Sequence, residues 1–221
     1  MRRLMVGVVV LASGLGSAYA PAQAATRLAC GLVSDASGDT TAGPPQATVP
    51  TSEPSLDIVS ADVSVNAAWV TTAVKVKKLT LGAGPVPDMW RWSMSFTSGG
   101  TTYIAHARTG QGGVFGEVNT MQSFGGDDTS WFESFVTSDV LVTLDEQRSQ
   151  VRVSVRRSAL NSSGGVAIGQ RLSNLHAYAW HERTANASGF KQPGGEYDIA
   201  DTASSTKTYV AGTRSCVKPG S

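Results

Sequence analysis

From Asp57 onward, apolar and polar residues alternate with a period of two. Val59, Ala61, Val63 and Val65 fall on one face of a first strand, and Val70, Val74 and Val76 on one face of a second that begins near Trp69. Leu79 and Leu81 reverse that parity, which marks a bulge or the end of the strand. Between Met89 and Thr97, Trp90, Trp92, Met94 and Phe96 oppose Arg91, Ser93 and Ser95, the pattern of a half-buried strand. Gly99-Gly100 then turns the chain into a hairpin partner over Thr101 to Arg108. The clearest hairpin sets Val140, Val142 and Leu144 against Val151, Val153 and Val155 across the polar link from Glu146 to Ser149. A further strand is predicted from Arg171 to Glu182, and a last short one from Lys207 to Val210. Helical periodicity is nearly absent, so short strands with Gly-rich turns predict an all-β fold, an antiparallel β-sandwich of the jelly-roll kind in one domain.

Ahead of the first strand, Ser34 to Pro54 is rich in Gly, Pro, Ser and Thr and reads as a long entry loop, a length that often serves function. The chain opens with Arg2-Arg3, an apolar stretch from Leu4 to about Leu15 and small residues around Ala22-Gln23-Ala24, the layout of a secretory signal peptide. The apolar stretch is shorter than the roughly 20 residues a membrane span requires. Cleavage is expected after Ala24, with Ala20 as the alternative, leaving residues 25–221 as the single sandwich domain and placing the protein outside the cell. Removing Arg2 and Arg3 takes the formal charge from +1 to −1. A near-neutral chain lacks the basic footprint of a nucleic-acid binder, and no later segment is apolar enough to span a bilayer. The two cysteines, Cys30 and Cys216, sit near opposite ends of the mature chain and are expected to pair in an oxidising compartment. The alternative, lipid attachment at Cys30, is disfavoured by Arg27 and by the distance from the apolar stretch.

Three segments, SDASGDTTAG, PSLDIVSADVSV and YDIADTASSTKTYVAG, together resemble secreted β-sandwich modules of bacteria and archaea. Those modules are similar to the family 9 carbohydrate-binding and DOMON-like domains and often follow subtilisin-like protease domains. The resemblance implies a non-catalytic binding or accessory role, with extracellular polysaccharide or cell-wall glycan as the first expected ligand and, in some relatives, a structural calcium ion. The other reading is a structural or interaction protein that partners a separate secreted enzyme. A hydrolase stands third.

The residue types point the same way. Asp35, Asp39, Asp57 and Asp201 are the candidate calcium ligands, because calcium takes six to eight oxygens and favours acidic loops with a glycine turn, which Gly38 supplies. Trp131, in the polar run GGDDTSWFES, is the ring most expected to face a ligand. Tyr178 and Trp180 share a strand face with His176; large aromatics mostly supply buried area, so a core role is the preferred reading and sugar stacking the secondary one. His176 and His181 are five apart on a predicted strand and point to opposite faces, so they do not form a metal pair. No Gly-x-Ser-x-Gly elbow marks a nucleophile, and the expectation is that the protein is not an enzyme.

Overall fold

The computed structural model describes residues 28–40, 53–81, 89–110, 113–123, 131–182 and 197–220. The expected signal peptide, residues 1–24, and positions 41–52 of the entry loop lie outside the described residues. Twelve strands are described: β1 (Val33–Ser34), β2 (Ile58–Val65), β3 (Trp69–Val76), β4 (Met89–Ser98), β5 (Thr101–Gly110), β6 (Gly113–Ser123), β7 (Trp131–Thr137), β8 (Val140–Asp145), β9 (Gln150–Arg156), β10 (Arg171–Glu182), β11 (Tyr197–Ser205) and β12 (Tyr209–Val210). A single 3-10 helix, Arg157–Ser163, follows β9. The strands form two antiparallel sheets, one of five in the order β1-β2-β3-β9-β8 and one of seven in the order β11-β10-β4-β5-β6-β7, with β12 paired to β10. The all-β, sandwich-like expectation is met.

Alternation explains the faces. Along β4, Trp92, Met94 and Phe96 point into the space between the sheets while Arg91, Ser93 and Ser95 point away from it. Gly99 and Gly100 form the two-residue loop to β5, and both have positive φ (57° and 88°), the backbone that matches the right-handed twist of paired strands. The β8–β9 hairpin sets Val142 opposite Val153 and Leu144 opposite Val151. In β2 a register shift between Ile58 and Ser60 moves Ile58, not Val59, into the core; Val59 is half-buried, which corrects the first strand's predicted face. Strands β6, β7 and β11 carry glycines, small residues and mixed polarity, so their weak periodicity hid them from the sequence. Neighbouring strands, rather than their own propensity, hold them extended.

The main core lies between the sheets and includes Ile58, Val63, Val74, Trp92, Met94, Phe96, Tyr103 and Leu175. Each large apolar side chain enclosed there contributes about 1.5–3 kcal/mol. The polar tips inside it are partnered. The Trp92 indole N–H donates to the Ser55 carbonyl at 2.7 Å, and the Tyr103 hydroxyl donates to the Ser163 carbonyl at 2.6 Å, tying the 3-10 helix to β5. Tyr209 Oη accepts the Val65 N–H at 3.2 Å and donates to Thr213, so β12 is tied to β2 of the other sheet.

Cys30 and Cys216 are disulfide-bonded, with Cα atoms 5.2 Å apart and a sequence separation of 186. Ala29 and Ser215 form a parallel bridge beside the bond, with Ala29 N–H donating to Arg214 and Cys216 N–H donating to Ala29. Closing so long a loop restricts the unfolded chain far more than the folded one. Replacing both cysteines by serine is therefore expected to lower unfolding free energy by about 2–5 kcal/mol in urea titration, with the far-ultraviolet spectrum unchanged. Equal stability of the two proteins would show that the backbone pairing at residues 29 and 214–216 suffices.

Candidate functional site

The aspartates come together at one end of the sandwich. Asp35 follows β1 directly, with its N–H donating to the Val59 carbonyl and its Oδ1 accepting the Ala36 N–H at 2.9 Å. Gly38 turns the next residues at φ 97° and donates its N–H to Asp57 Oδ1 at 3.0 Å, which swings Asp39 back toward β11. Asp201 lies in β11, and its Oδ2 accepts the Ile58 N–H of β2 at 2.6 Å. As a result, one carboxylate oxygen from each of Asp35, Asp39 and Asp201 lies within 4.8 Å of the other two. Asp57 stands beside this trio and is engaged elsewhere, with Lys77 Nζ at 3.3 Å and the Gly38 N–H.

The electrostatics of the trio are unbalanced. Burial, followed by the neighbouring charges of Asp35 and Asp39, pushes Asp201 up to about 6. Burial likewise raises Asp35, with Asp39 and Asp57 adding to the shift. Asp35 Oδ2 is buried and accepts no hydrogen bond. Close carboxylates of this kind ionise together only when a cation supplies the missing positive charge; without one, a carboxyl retains its proton. Three carboxylates from two distant segments, with one oxygen already orphaned, fit a hard cation with oxygen ligands.

A second constellation lies on the face of the seven-stranded sheet that points away from the core, where strand register lines up Ser93, His106 and Glu117. His106 Nδ1 lies 2.6 Å from Ser93 Oγ, and its Nε2 lies 2.9 Å from Glu133 Oε2. The three side chains have the outline of a serine nucleophile, a base and an orienting acid. Arg91 alters that outline. Its Nε donates to the same Nδ1 at 3.0 Å, so this nitrogen is an acceptor and the ring proton sits on Nε2, donated to Glu133. Arg91 also reaches Glu133 at 3.2 Å and Glu117 at 3.6 Å, and lies over the Trp180 ring at 4.8 Å. Burial first, then the Arg91 charge, lowers His106 to about 4. Although burial works against it, the hydrogen bond to His106 and the Arg91 charge hold the Glu133 carboxyl well below the usual range. A base so depressed is protonated too weakly to draw the Ser93 proton at neutral pH, and His106 and Ser93 are each 1% exposed. His106, Glu117 and Glu133 also have metal-ligand spacing, but Arg91 already supplies the positive charge between them.

The aromatic candidates divide. Tyr178 and Trp180 are each 3% exposed and stack at 5.4 Å beside Ile104, so neither ring face is open to a sugar; as ligand-stacking residues they are corrected to a small second core. The physical reason is that this outer sheet face is itself buried, with Ile104, Ser93 and Ser95 enclosed along with the rings. Trp131 begins the edge strand β7, its backbone opposite Ser123, and its side chain lies outside the described residues. Among the described residues the large exposed rings are Phe115, Phe132 and Phe135, on strands the periodicity did not mark. Glu117 and Glu133 sit on those same strands, which is why sequence reasoning did not connect them to His106; only the cross-strand register carries that signal.

Asp201→Asn tests the charge balance of the trio in chelator. The amide oxygen keeps an acceptor for the Ile58 N–H and removes the charge. Because the folded carboxyl is raised to about 6 from an ordinary 3.8, its contribution to stability is full below about 3.8 and is lost as pH rises through 6. The variant should therefore be more stable than the parent at pH 7.5, and the gain should fade toward pH 4. His106 titrates in the opposite sense, its contribution lost as pH falls from 6.5 to about 4, and it cancels in the difference between the two proteins. Urea titrations at both pH values give that difference; a constant offset would refute the assignment.

No family model, no curated protein and no solved structure matches this chain.

Proposed function

We propose that this chain is a secreted, non-catalytic recognition module whose loop end is organised by a bound calcium ion. The observation that carries the proposal is the convergence of the Asp35, Asp39 and Asp201 carboxylates, delivered by segments far apart in sequence. An ion there would complete its shell with water and take Asp35, Asp39 and Asp201 as direct ligands, while Asp57 holds the Gly38 turn that presents Asp39. Export is supported by the signal-like opening of the sequence and by the disulfide, which oxidising compartments favour. No helix among the described residues is long and apolar enough to cross a membrane. The non-catalytic reading is supported by the way Arg91 occupies the base of the Ser93–His106–Glu133 constellation.

A protein partner, such as a separate secreted enzyme, is the ligand favoured by the exposed apolar side chains Val114, Phe115, Phe132 and Phe135 on β6 and β7. Polysaccharide, the ligand class implied by the resemblance, would use the same exposed rings or Trp131. Phe132 and Phe135 are three apart on one strand and so point to opposite faces, which does not make the flat platform a sugar ring stacks on.

Melting curves with millimolar calcium and with excess chelator test the ion. The midpoint should rise with calcium, since an ion held only by the folded state adds about 2.7 kcal/mol at a hundred times its dissociation constant. Asp39→Ala should abolish the rise; an unchanged midpoint in the parent, or a rise that survives the substitution, would reject the site. For the glycan arm, retention on insoluble cell-wall polysaccharide that drops for Trp131→Ala or Phe135→Ala would establish sugar binding. An absence of retention assigns recognition to a protein partner.

A further inference from the structure

At one open side of the sandwich β6 of the seven-stranded sheet meets β8 of the five-stranded sheet. Gly116 makes the meeting possible, because a Cβ at that position would run into the side chains of Val140 and Val142. Beside this contact lies a notch of about 370 Å³, lined by Arg108, Val114, Phe115, Ser138, Val140 and Val142.

Three features of the notch are independent of one another. Its apolar rim is exposed, with Val114 at 47% and Phe115 at 43%, and exposed apolar side chains gathered in one place mark contact surfaces. The strand that forms its far wall, β8, pairs with β9 on one edge and with no strand among the described residues on the other. An unpaired strand edge offers a row of backbone donors and acceptors to an incoming chain. The third feature is charge. Arg108 is half-buried, and among the described residues its one polar contact is with the face of Phe115, at 5.7 Å, with no carboxylate paired to it. Glu117, the acidic residue of the same wall, is paired with Arg91 instead. A guanidinium stays charged at every physiological pH and its fork matches a carboxylate.

We propose that the notch is the docking site for an extended segment of a protein partner in which an apolar side chain stands next to a carboxylate. The segment adds to the free edge of β8, seats its apolar side chain against Val114, Phe115 and Val142, and places its carboxylate on Arg108. Backbone pairing along the edge strand supplies affinity, and the notch and Arg108 supply selectivity, as in other strand-addition complexes. A free small molecule would lack the backbone pairing and would remain largely exposed in so open a notch. The proposal rests on the protein-partner reading above and names the surface and the chemistry of that partner.

The probe is a blocked seven-residue peptide alternating valine and aspartate, with an asparagine-for-aspartate counterpart, titrated into the isotope-labelled, disulfide-bonded chain. The aspartate peptide should shift backbone amides of residues 113–117 and 138–144. Arg108→Ala should weaken it at least tenfold. Val114→Asp, which sets a like charge at the rim without touching Arg108, should weaken it similarly, and both variants should melt with the parent. The asparagine peptide should bind the parent as weakly as the aspartate peptide binds Arg108→Ala. Absence of shifts at millimolar peptide, shifts confined to other strands, or affinity unchanged in both variants would overturn the proposal. So would decanoate shifting the same amides more strongly than the peptide, which would make the notch a small-molecule site. The recognition reading fails by a different result, hydrolytic activity of the parent that Ser93→Ala removes.

Discussion

The carboxylate of Asp201 is the point at which the two sheets and the N-terminal segment meet. It belongs to β11 of the seven-stranded sheet, accepts the Ile58 N–H from β2 of the five-stranded sheet, and faces Asp35 and Asp39 from the segment after β1. Being 4% exposed, it has little water to stabilise its charge. A buried acceptor with a short bond favours the charged form, while the two neighbouring carboxylates and burial oppose it more strongly. The fold therefore places a hydrogen bond that joins its layers inside a site with excess negative charge. How that excess is met, by proton or by cation, sets how firmly the segment from 28 to 40 is held at its second end, its first being held by the disulfide.

The opposite arrangement is seen around His106. There, Arg91 contacts two glutamates and a histidine, while Ser93 bonds to His106 and Asn119 to Glu133. A network of this kind fixes the outer sheet face in one arrangement, because removing a member would leave further buried polar atoms without partners, beside Asn119 Oδ1, which already accepts no hydrogen bond. The contrast between the two sites lies in where a cation of the chain stands. In one, Arg91 lies among the glutamates; in the other, among the described residues, Lys77 pairs with Asp57 at the margin and no basic side chain is paired with Asp35, Asp39 or Asp201.

The edges of the sandwich carry the surface that remains open to other molecules. β7 and β8 bound the two sheets on the same side, and the large side chains exposed on them are Phe132, Phe135 and Leu141 rather than the lysines and prolines that protect a sheet edge. Gly116 allows the sheets to approach at that side, and the approach creates the notch next to Arg108.

The sequence by itself determined the fold class, the core faces of β3, β4, β8 and β9, the hairpin turn at Gly99-Gly100 and the pairing of the only two cysteines. These follow from local rules: the pleat sends alternate side chains to opposite faces, two glycines permit the tight turn, and the sequence holds two thiols, each the other's one possible partner within the chain. It also singled out Asp35, Asp39, Asp57 and Asp201, but only the tertiary structure separated the converging trio from Asp57, which Lys77 and the Gly38 N–H engage. For Tyr178 and Trp180 the sequence left sugar stacking open beside the core reading, and the structure encloses both. Tertiary structure alone decided that Glu117 and Glu133 reach His106 and that β6, β7 and β11 are strands. Period-two alternation reports which face of a strand is apolar, and it is silent about which strands become neighbours. The Asp201–Ile58 hydrogen bond joins residues 143 apart, and no pattern within either segment encodes the other's position.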